Sequence, residues 1–195
     1  MKNFQNNSMK HLMYAMLVLM ISLSSCGQKK SESNKETIAK TEVKAPDMAL
    51  SAAVVAGNLD VVKQHIAAGT DINEKDALSG STPLIAAITF GKNDIAQALI
   101  DADADLTIKN NDGATALHVA AFFGRVEAVQ MLMDAGADKT MKNNFGATPR
   151  ETVMGPFEDI KPIYEMMQQQ LAPVGLQLDL AEVEKTRPVI AIMLQ

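Results

Sequence analysis

The chain has 195 residues, a length sufficient for one domain preceded by a targeting segment, and its net charge is −5. A mildly acidic sequence without a basic stripe argues against nucleic-acid binding. The single cysteine excludes an internal disulfide and a cysteine-based metal cluster.

The N-terminal segment 1–25 has the pattern of an export signal. Lys2 and Lys10 precede an apolar run at 12–23, which is shorter than the roughly 20 residues of a membrane-spanning helix. The run ends in Leu-Ser-Ser-Cys and resembles the lipobox of bacterial lipoproteins. The resemblance implies a lipid on Cys26, and Gly27 after it implies the outer membrane. An ordinary cleaved signal with an unmodified cysteine and a transmembrane anchor are the alternatives.

Residues 26–46 are rich in charge and contain no aromatic residue. Such a composition buries too little apolar surface to fold alone, so we expect a disordered tether. A flexible chain of this length spans about 25 Å.

A sequence repeat with a period of 33 runs through the middle of the chain. The threonines of each unit can cap a helix, and Pro83 and Pro149 suit the first helical turn. Asp103 stands where the other units have a glycine that ends the second helix. The repeated positions are Gly80, Gly113 and Gly146, and Thr82, Thr115 and Thr148.

The units begin Gly-x-Thr-Pro-Leu or Gly-x-Thr-Ala-Leu and close on Ala-Asp, which resembles the ankyrin repeat over residues 47–155. The resemblance implies an all-α ankyrin-repeat solenoid of about four helix-hairpin units, because a single unit cannot bury both of its faces. We place these units at about 47–79, 80–112, 113–145 and 146–171.

The C-terminal part of the sequence predicts a cap. Phe157–Leu171 has a helical pattern, and the segment 172–195 forms the cap beyond it. Within that cap we expect a further helix pair over Asp179–Leu194, which covers the open end of the stack. An edge strand at Val189–Leu194 is the alternative.

The aspartate and histidine residues that could bind a metal or act in catalysis are better explained by structural roles. Asp101, Asp103 and Asp105 resemble a calcium loop, but the EF-hand positions for glycine and glutamate hold other residues. By the ankyrin resemblance, His118 holds the turn of its repeat. His65 lies in the first unit, where we expect the exposed side to favour a polar residue. The sequence has no nucleophile motif or metal-ligand spacing, so we expect neither an enzyme nor a cofactor.

The ankyrin resemblance also places a protein-binding face on the loop tips and on the inner side of the first helices. We expect four of its phenylalanines to form an exposed aromatic stripe, with packing between the units as the alternative. The candidate residues are Lys75, Leu78, Thr89, Phe90, Lys109, Asn111, Asp112, Phe122, Phe123, Lys142, Asn144 and Phe145.

These features together predict a membrane-tethered adaptor or scaffold in the bacterial cell envelope. It is expected to be a monomer that binds a protein partner and catalyses no reaction. A periplasmic immunity protein that neutralises a toxin is the first alternative. A hydrolase or metal-dependent enzyme and a purely structural spacer are more distant ones.

Overall fold

The computed structural model describes residues 44–195, which form helices joined by short loops and contain no β-strand. The predicted signal peptide, Cys26 and the tether up to position 43 lie outside the described residues. Within residues 44–195, no helix has both the length and the hydrophobicity needed to cross a bilayer.

The described part of the chain contains eight α-helices. Most are short, because each one spans a single layer of the fold. They are α1 (Leu50–Ala56), α2 (Leu59–Ala67), α3 (Pro83–Thr89), α4 (Asn93–Asp101), α5 (Ala116–Phe122), α6 (Val126–Asp134), α7 (Phe157–Leu171) and α8 (Leu180–Met193).

The first six helices form three stacked hairpins. Within a hairpin the two helices pack together, and between hairpins α1, α3 and α5 form one row while α2, α4 and α6 form the other. The core between them consists of aliphatic side chains with no solvent exposure or nearly none, and its small alanines let the helices approach closely. Examples are Val54, Val62, Ile88, Leu99, Leu117 and Leu132.

The helix ends follow the expected local chemistry. The Thr82 hydroxyl accepts a hydrogen bond from the amide of Ile85, and Pro83 occupies the first position of α3. Asp103 adopts a left-handed conformation with φ of 61°, the conformation that glycine supplies at the equivalent Gly69 and Gly136. The expected role of Asp103 in ending a helix is therefore confirmed.

The fourth layer differs from the expected unit at 146–171. After Thr148 and Pro149, a 3₁₀ turn at Glu151–Val153 takes the place of the first helix, and α8 rather than α7 packs on α6. Arg150 occupies the position of the buried leucine and donates to the carbonyl oxygen of Ala191 in α8. Helix α7 is thus an insertion between the two parts of the fourth layer.

The tail at Asp179–Leu194 is one helix and not the expected pair or edge strand. Asp179 caps it by accepting hydrogen bonds from the amides of Ala181 and Glu182, and Pro188 lies within it. The helix fits closely against the end of α5: a Cβ atom on Gly124 would lie 2.6 Å from the hydroxyl of Thr186. The cap therefore consists of α7 and α8 together.

Tyr164 fastens α7 to the repeats. Its side chain has no exposed surface, and its hydroxyl donates to the carbonyl oxygen of Phe122 at 2.5 Å. Its ring lies 4.6 Å from the ring of Phe122 and 5.9 Å from that of Phe157. The buried Arg187 of α8 in turn donates to the Tyr164 hydroxyl and to the carbonyl oxygen of Gly155. Burial raises the pKa of Tyr164, so its hydroxyl keeps its proton and remains a donor.

We predict that Tyr164→Phe lowers the free energy of unfolding by about 1–3 kcal/mol, because it leaves a buried carbonyl oxygen without its donor. Tyr164→Ala should cost more, about 3–5 kcal/mol, since it also removes the ring from the aromatic cluster. Urea denaturation measures both values. An unchanged free energy of unfolding for Tyr164→Phe would contradict this role of the hydroxyl.

Candidate protein-binding surface

Three loops between the layers form a row that we call the tip row. Tip 1 is the loop at 75–80, tip 2 is the loop at 109–113, and tip 3 is the loop at 142–146. Each loop folds around one side chain that accepts amide hydrogen bonds from the residues after it. These side chains are those of Asp76, Asn110 and Asn143.

Adjacent tips are joined by a repeated pair of hydrogen bonds, which we call a rung. The amide of Asn111 donates to the carbonyl oxygen of Ser79, and its side-chain amide donates to that of Leu78, both at 2.9 Å. One layer further along, Asn144 makes the same two bonds to Asp112 and Asn111, again at 2.9 Å. The two rungs fix the spacing of the tips.

Lysines add a third bond to each rung. The ammonium of Lys75 donates to the carbonyl oxygen of Lys109 at 2.7 Å, and that of Lys109 donates to the carbonyl oxygen of Lys142 at 2.8 Å. Two of the expected contact lysines therefore serve the scaffold as well.

Glycine is required where each asparagine side chain crosses the preceding tip. Gly80 and Gly113 have φ of +67° and +71°, and a Cβ atom on either would overlap the side-chain oxygen of Asn111 or Asn144. The regular spacing of these glycines in the sequence thus reflects a direct contact between layers.

Asp76 gives tip 1 its own local charge. Partial burial raises its pKa, but hydrogen bonds from Ser79, Leu78 and Ser81 outweigh this and hold the pKa below its usual value. The carboxylate therefore stays ionised and keeps the longer first loop folded.

His118 ties the start of α5 to the residue that follows tip 3. Its Nδ1 accepts from the amide of Thr115 at 3.2 Å, and its Nε2 donates to the carbonyl oxygen of Ala147 at 3.0 Å. This pair of bonds assigns the neutral form protonated on Nε2. Burial and, to a smaller extent, the charge of Lys109 lower the pKa of His118, while the bond to Ala147 acts in the opposite direction.

The tip row also carries the two most exposed large apolar side chains among the described residues. Leu78 is 93% exposed and Phe145 is 81% exposed. The two lie at opposite ends of the row, with the exposed polar Asp112 between them. Lys75, Asn111, Lys142 and Asn144 are also exposed or partly exposed, and Lys109 is half-buried.

The expected aromatic stripe is wrong for three of its four members. Phe123 is 4% exposed because its side chain turns inward at the end of α5. Phe122 is half-buried and covered by Tyr164, and Phe90 is half-buried against the core. The nearby Thr89 is half-buried, and its hydroxyl donates to the carbonyl oxygen of Ile85. Phe145 alone of the four is a freely presented ring.

His65 does not sit on an exposed side as expected. It is buried and contacts the carbonyl oxygen of Met48 and the hydroxyl of Thr70, so it holds the N-terminal end of the stack together. Asp105, the last carboxylate of the apparent calcium loop, accepts from Thr107 instead. Within residues 44–195, no group of three or more acidic, histidine or cysteine side chains could hold a metal ion.

Sequence reasoning missed the half-buried Arg125. Its guanidinium donates to the carbonyl oxygens of Thr89 and Gln177, at 3.4 and 3.2 Å, and so joins the second layer to the loop before α8. Burial lowers its pKa. The repeat offered a signal, because another basic residue, Lys92, stands one period earlier. A Cβ atom on Gly57 would meet the Lys92 side chain, as one on Gly91 would meet that of Arg125.

Comparison with known proteins identifies the repeats. Residues 50–143 match the family model for ankyrin repeats, in three copies. Over 65 residues the chain is 45% identical to protein phosphatase 1 regulatory subunit 27 of Homo sapiens and of Mus musculus. The aligned segment covers 33% of this chain and 42% of those proteins. Over 57 residues it is 35% identical to an ankyrin repeat-containing protein of Schizosaccharomyces pombe, 29% of this chain and 27% of that protein. The chain thus spans less than half the length of these curated relatives.

Solved structures agree with this fold. The ankyrin repeat domain of Bcl-3, a member of the IkappaB family, superposes with a TM-score of 0.52 at 31% identity. The match covers 53% of this chain and 45% of that one. The predicted all-α ankyrin-repeat fold is therefore confirmed.

We predict that acidification destabilises the protein through His118. Below about pH 6.5 the unfolded chain binds a proton at this residue that the folded chain excludes, so stability falls as the pH drops towards the lowered pKa. The loss is at most about 1.4 kcal/mol per pH unit for one proton. The carboxylates with lowered pKa values, such as Asp76, act only in a more acidic range.

The measurement is the free energy of unfolding at pH 7.5 and 5.5 for the native protein and His118→Gln. The variant should be less stable at pH 7.5 and should lose less stability on acidification. Equal losses in the two proteins would show that the His118 imidazole does not titrate as proposed.

Proposed function

We propose that this ankyrin-repeat chain is a membrane-tethered adaptor that binds a protein partner through its tip row. Ankyrin repeats are protein-binding modules, and relatives named as regulatory subunits of a phosphatase support a role without catalysis. The observation that carries the proposal is the pair of exposed side chains Leu78 and Phe145 on a scaffold held rigid by rungs.

The physical argument is preorganisation. Exposed loops normally lose conformational entropy on binding, whereas these tips are already fixed by amide and lysine hydrogen bonds. Leu78 and Phe145 are the most exposed large apolar side chains among the described residues, and both lie on this preformed row. Aromatic rings that become buried on binding are typical anchors of protein interfaces. Leu78 and Phe145 therefore serve as anchors, and Asp112 between them contributes to specificity.

The location in the bacterial cell envelope is part of the same proposal. It is supported by the apolar run at 12–23 and by the Leu-Ser-Ser-Cys sequence that ends at Cys26. A lipid on Cys26 would hold the chain at the outer membrane and leave the repeats free to meet an envelope protein. Neutralisation of a periplasmic toxin is the more specific form of this role.

We expect the double variant Leu78→Ser, Phe145→Ser to lose partners that the native full-length chain retains. Each anchor that becomes buried in an interface contributes about 2 kcal/mol, so affinity should fall at least about tenfold. Affinity purification from solubilised native membranes, with quantification by mass spectrometry, measures the loss.

Met166→Ser is the matched control, because Met166 is an exposed apolar residue on α7, away from the tips. It should retain the same partners as the native chain. If the double variant folds and keeps every partner, the tip row is not the binding surface.

Cys26→Ala tests the anchor separately. Several acyl chains hold a protein firmly at a membrane, and without them the chain should move into the aqueous phase. Detergent phase partitioning measures this shift. A variant that still enters the detergent phase would show that a lipid on Cys26 is not what holds the protein.

A further inference from the structure

The tip row ends at tip 3 in an edge with the same structure as the joints between earlier tips. Tip 1 is covered by the asparagine of tip 2, and tip 2 by that of tip 3. In the described part of the chain, no loop follows tip 3 in the same position. The acceptors and the glycine that would receive another asparagine are nevertheless present there.

Gly146 shows that the receiving site persists. It has φ of +77°, like Gly80 and Gly113, but a Cβ atom on Gly146 would meet nothing within 4 Å. At the two earlier glycines the same space holds the side chains of Asn111 and Asn144. The space over Gly146 is thus open and has the backbone shape that admits an asparagine side chain.

The hydrogen-bonding groups of the rung are repeated as well. The carbonyl oxygens of Asn144 and Phe145 correspond to those of Asn111 and Asp112, which accept from the next asparagine. Lys142 corresponds to Lys75 and Lys109, whose ammonium groups donate to the next loop, and it is exposed. Unpaired main-chain groups at the edge of a β-sheet are a template for pairing with another chain, and the carbonyl oxygens of tip 3 offer acceptors in a comparable way.

We propose that this edge binds an asparagine-bearing turn of a partner protein. The main-chain amide of the turn donates a hydrogen bond to the carbonyl oxygen of Phe145. Its asparagine side chain donates one to the carbonyl oxygen of Asn144. Its own carbonyl oxygen accepts from the Lys142 ammonium, and the Phe145 ring packs against the turn. The inference rests on the proposed use of the tip row, and it adds the chemistry by which one end of the row recognises its partner.

A second copy of this chain is a poorer occupant. In head-to-tail stacking the edge would meet tip 1, where Leu78 stands in place of the asparagine and the loop is longer than in the other tips. Leucine cannot donate to the Asn144 carbonyl oxygen. The asparagines of the second and third tips are already bonded within their own chain. The occupant that we propose is therefore a turn of a different protein.

The test uses the full-length chain and a defined probe. The probe is a disulfide-cyclised peptide with the sequence found at 109–114, Lys-Asn-Asn-Asp-Gly-Ala, between two cysteines. Its matched control has alanine in place of the second asparagine. Isothermal titration calorimetry should show that the asparagine peptide binds at least about tenfold more tightly than the alanine peptide. A tenfold ratio corresponds to about 1.4 kcal/mol of binding free energy.

Two protein variants locate the site. In Gly146→Ala a methyl group enters the space for the asparagine, so the affinity for the peptide should fall at least about tenfold. Gly136→Ala is the matched control, because Gly136 has φ of +81° and equally open surroundings but lies outside the tip row. It carries the same backbone strain and should bind the peptide as the native chain does. Circular dichroism checks that both variants fold.

Three results would overturn the proposal: equal affinity for the two peptides, equal affinity of the two glycine variants, or no binding of the asparagine peptide at millimolar concentration. If partners are lost from the Leu78 and Phe145 double variant while the peptide fails to bind, the adaptor role stands and only this edge is wrong. If the peptide binds while that variant keeps its partners, the edge stands and the proposed function fails.

Discussion

The stacking of layers is the constraint on which the whole molecule depends. A hairpin of two short helices leaves one face of each helix uncovered, and only the next hairpin can cover it. The sequence has a regular period because each hairpin must pack against the next one in the same way. Glycines, capping threonines and small core residues therefore recur in register. The same constraint makes the two ends special, because each terminal layer lacks a neighbour. His65 helps to close one end, and α7 with α8 covers much of the other.

Local chemistry made the repeats and the helix at Phe157–Leu171 predictable from the sequence, but not the arrangement of the cap. Thr82, Pro83 and Asp103 act close to their own position in the chain, so their roles follow from the sequence alone. The choice between α7 and α8 as the neighbour of α6 depends on contacts far apart in sequence. Gly124 meets Thr186, and Tyr164 meets Phe122, and neither pair is marked by any repeat. The pairing of Tyr164 with Phe122 also explains why Phe122 is not part of an exposed aromatic stripe.

The tip row combines a constant framework with variable exposed side chains. Asn111 and Asn144 repeat because they join the layers, as do Lys75 and Lys109. The residues that depart from the repeat there include Leu78 and Phe145, and these are also the exposed apolar ones. This division between framework and variable positions could be recognised only once the hydrogen bonds were known, because the sequence alone placed all these residues in one candidate face.

The central claim is that hydrogen bonds between layers hold the tips in a fixed row before any partner arrives. Amide hydrogen exchange of the free protein tests it most directly. The main-chain amides of Asn111 and Asn144 should exchange slowly, in step with the helices beside them, whereas the amide of the exposed Ala77 in tip 1 should exchange rapidly. If Asn111 and Asn144 exchange as fast as Ala77, the tips are not joined in solution and the row is not preformed.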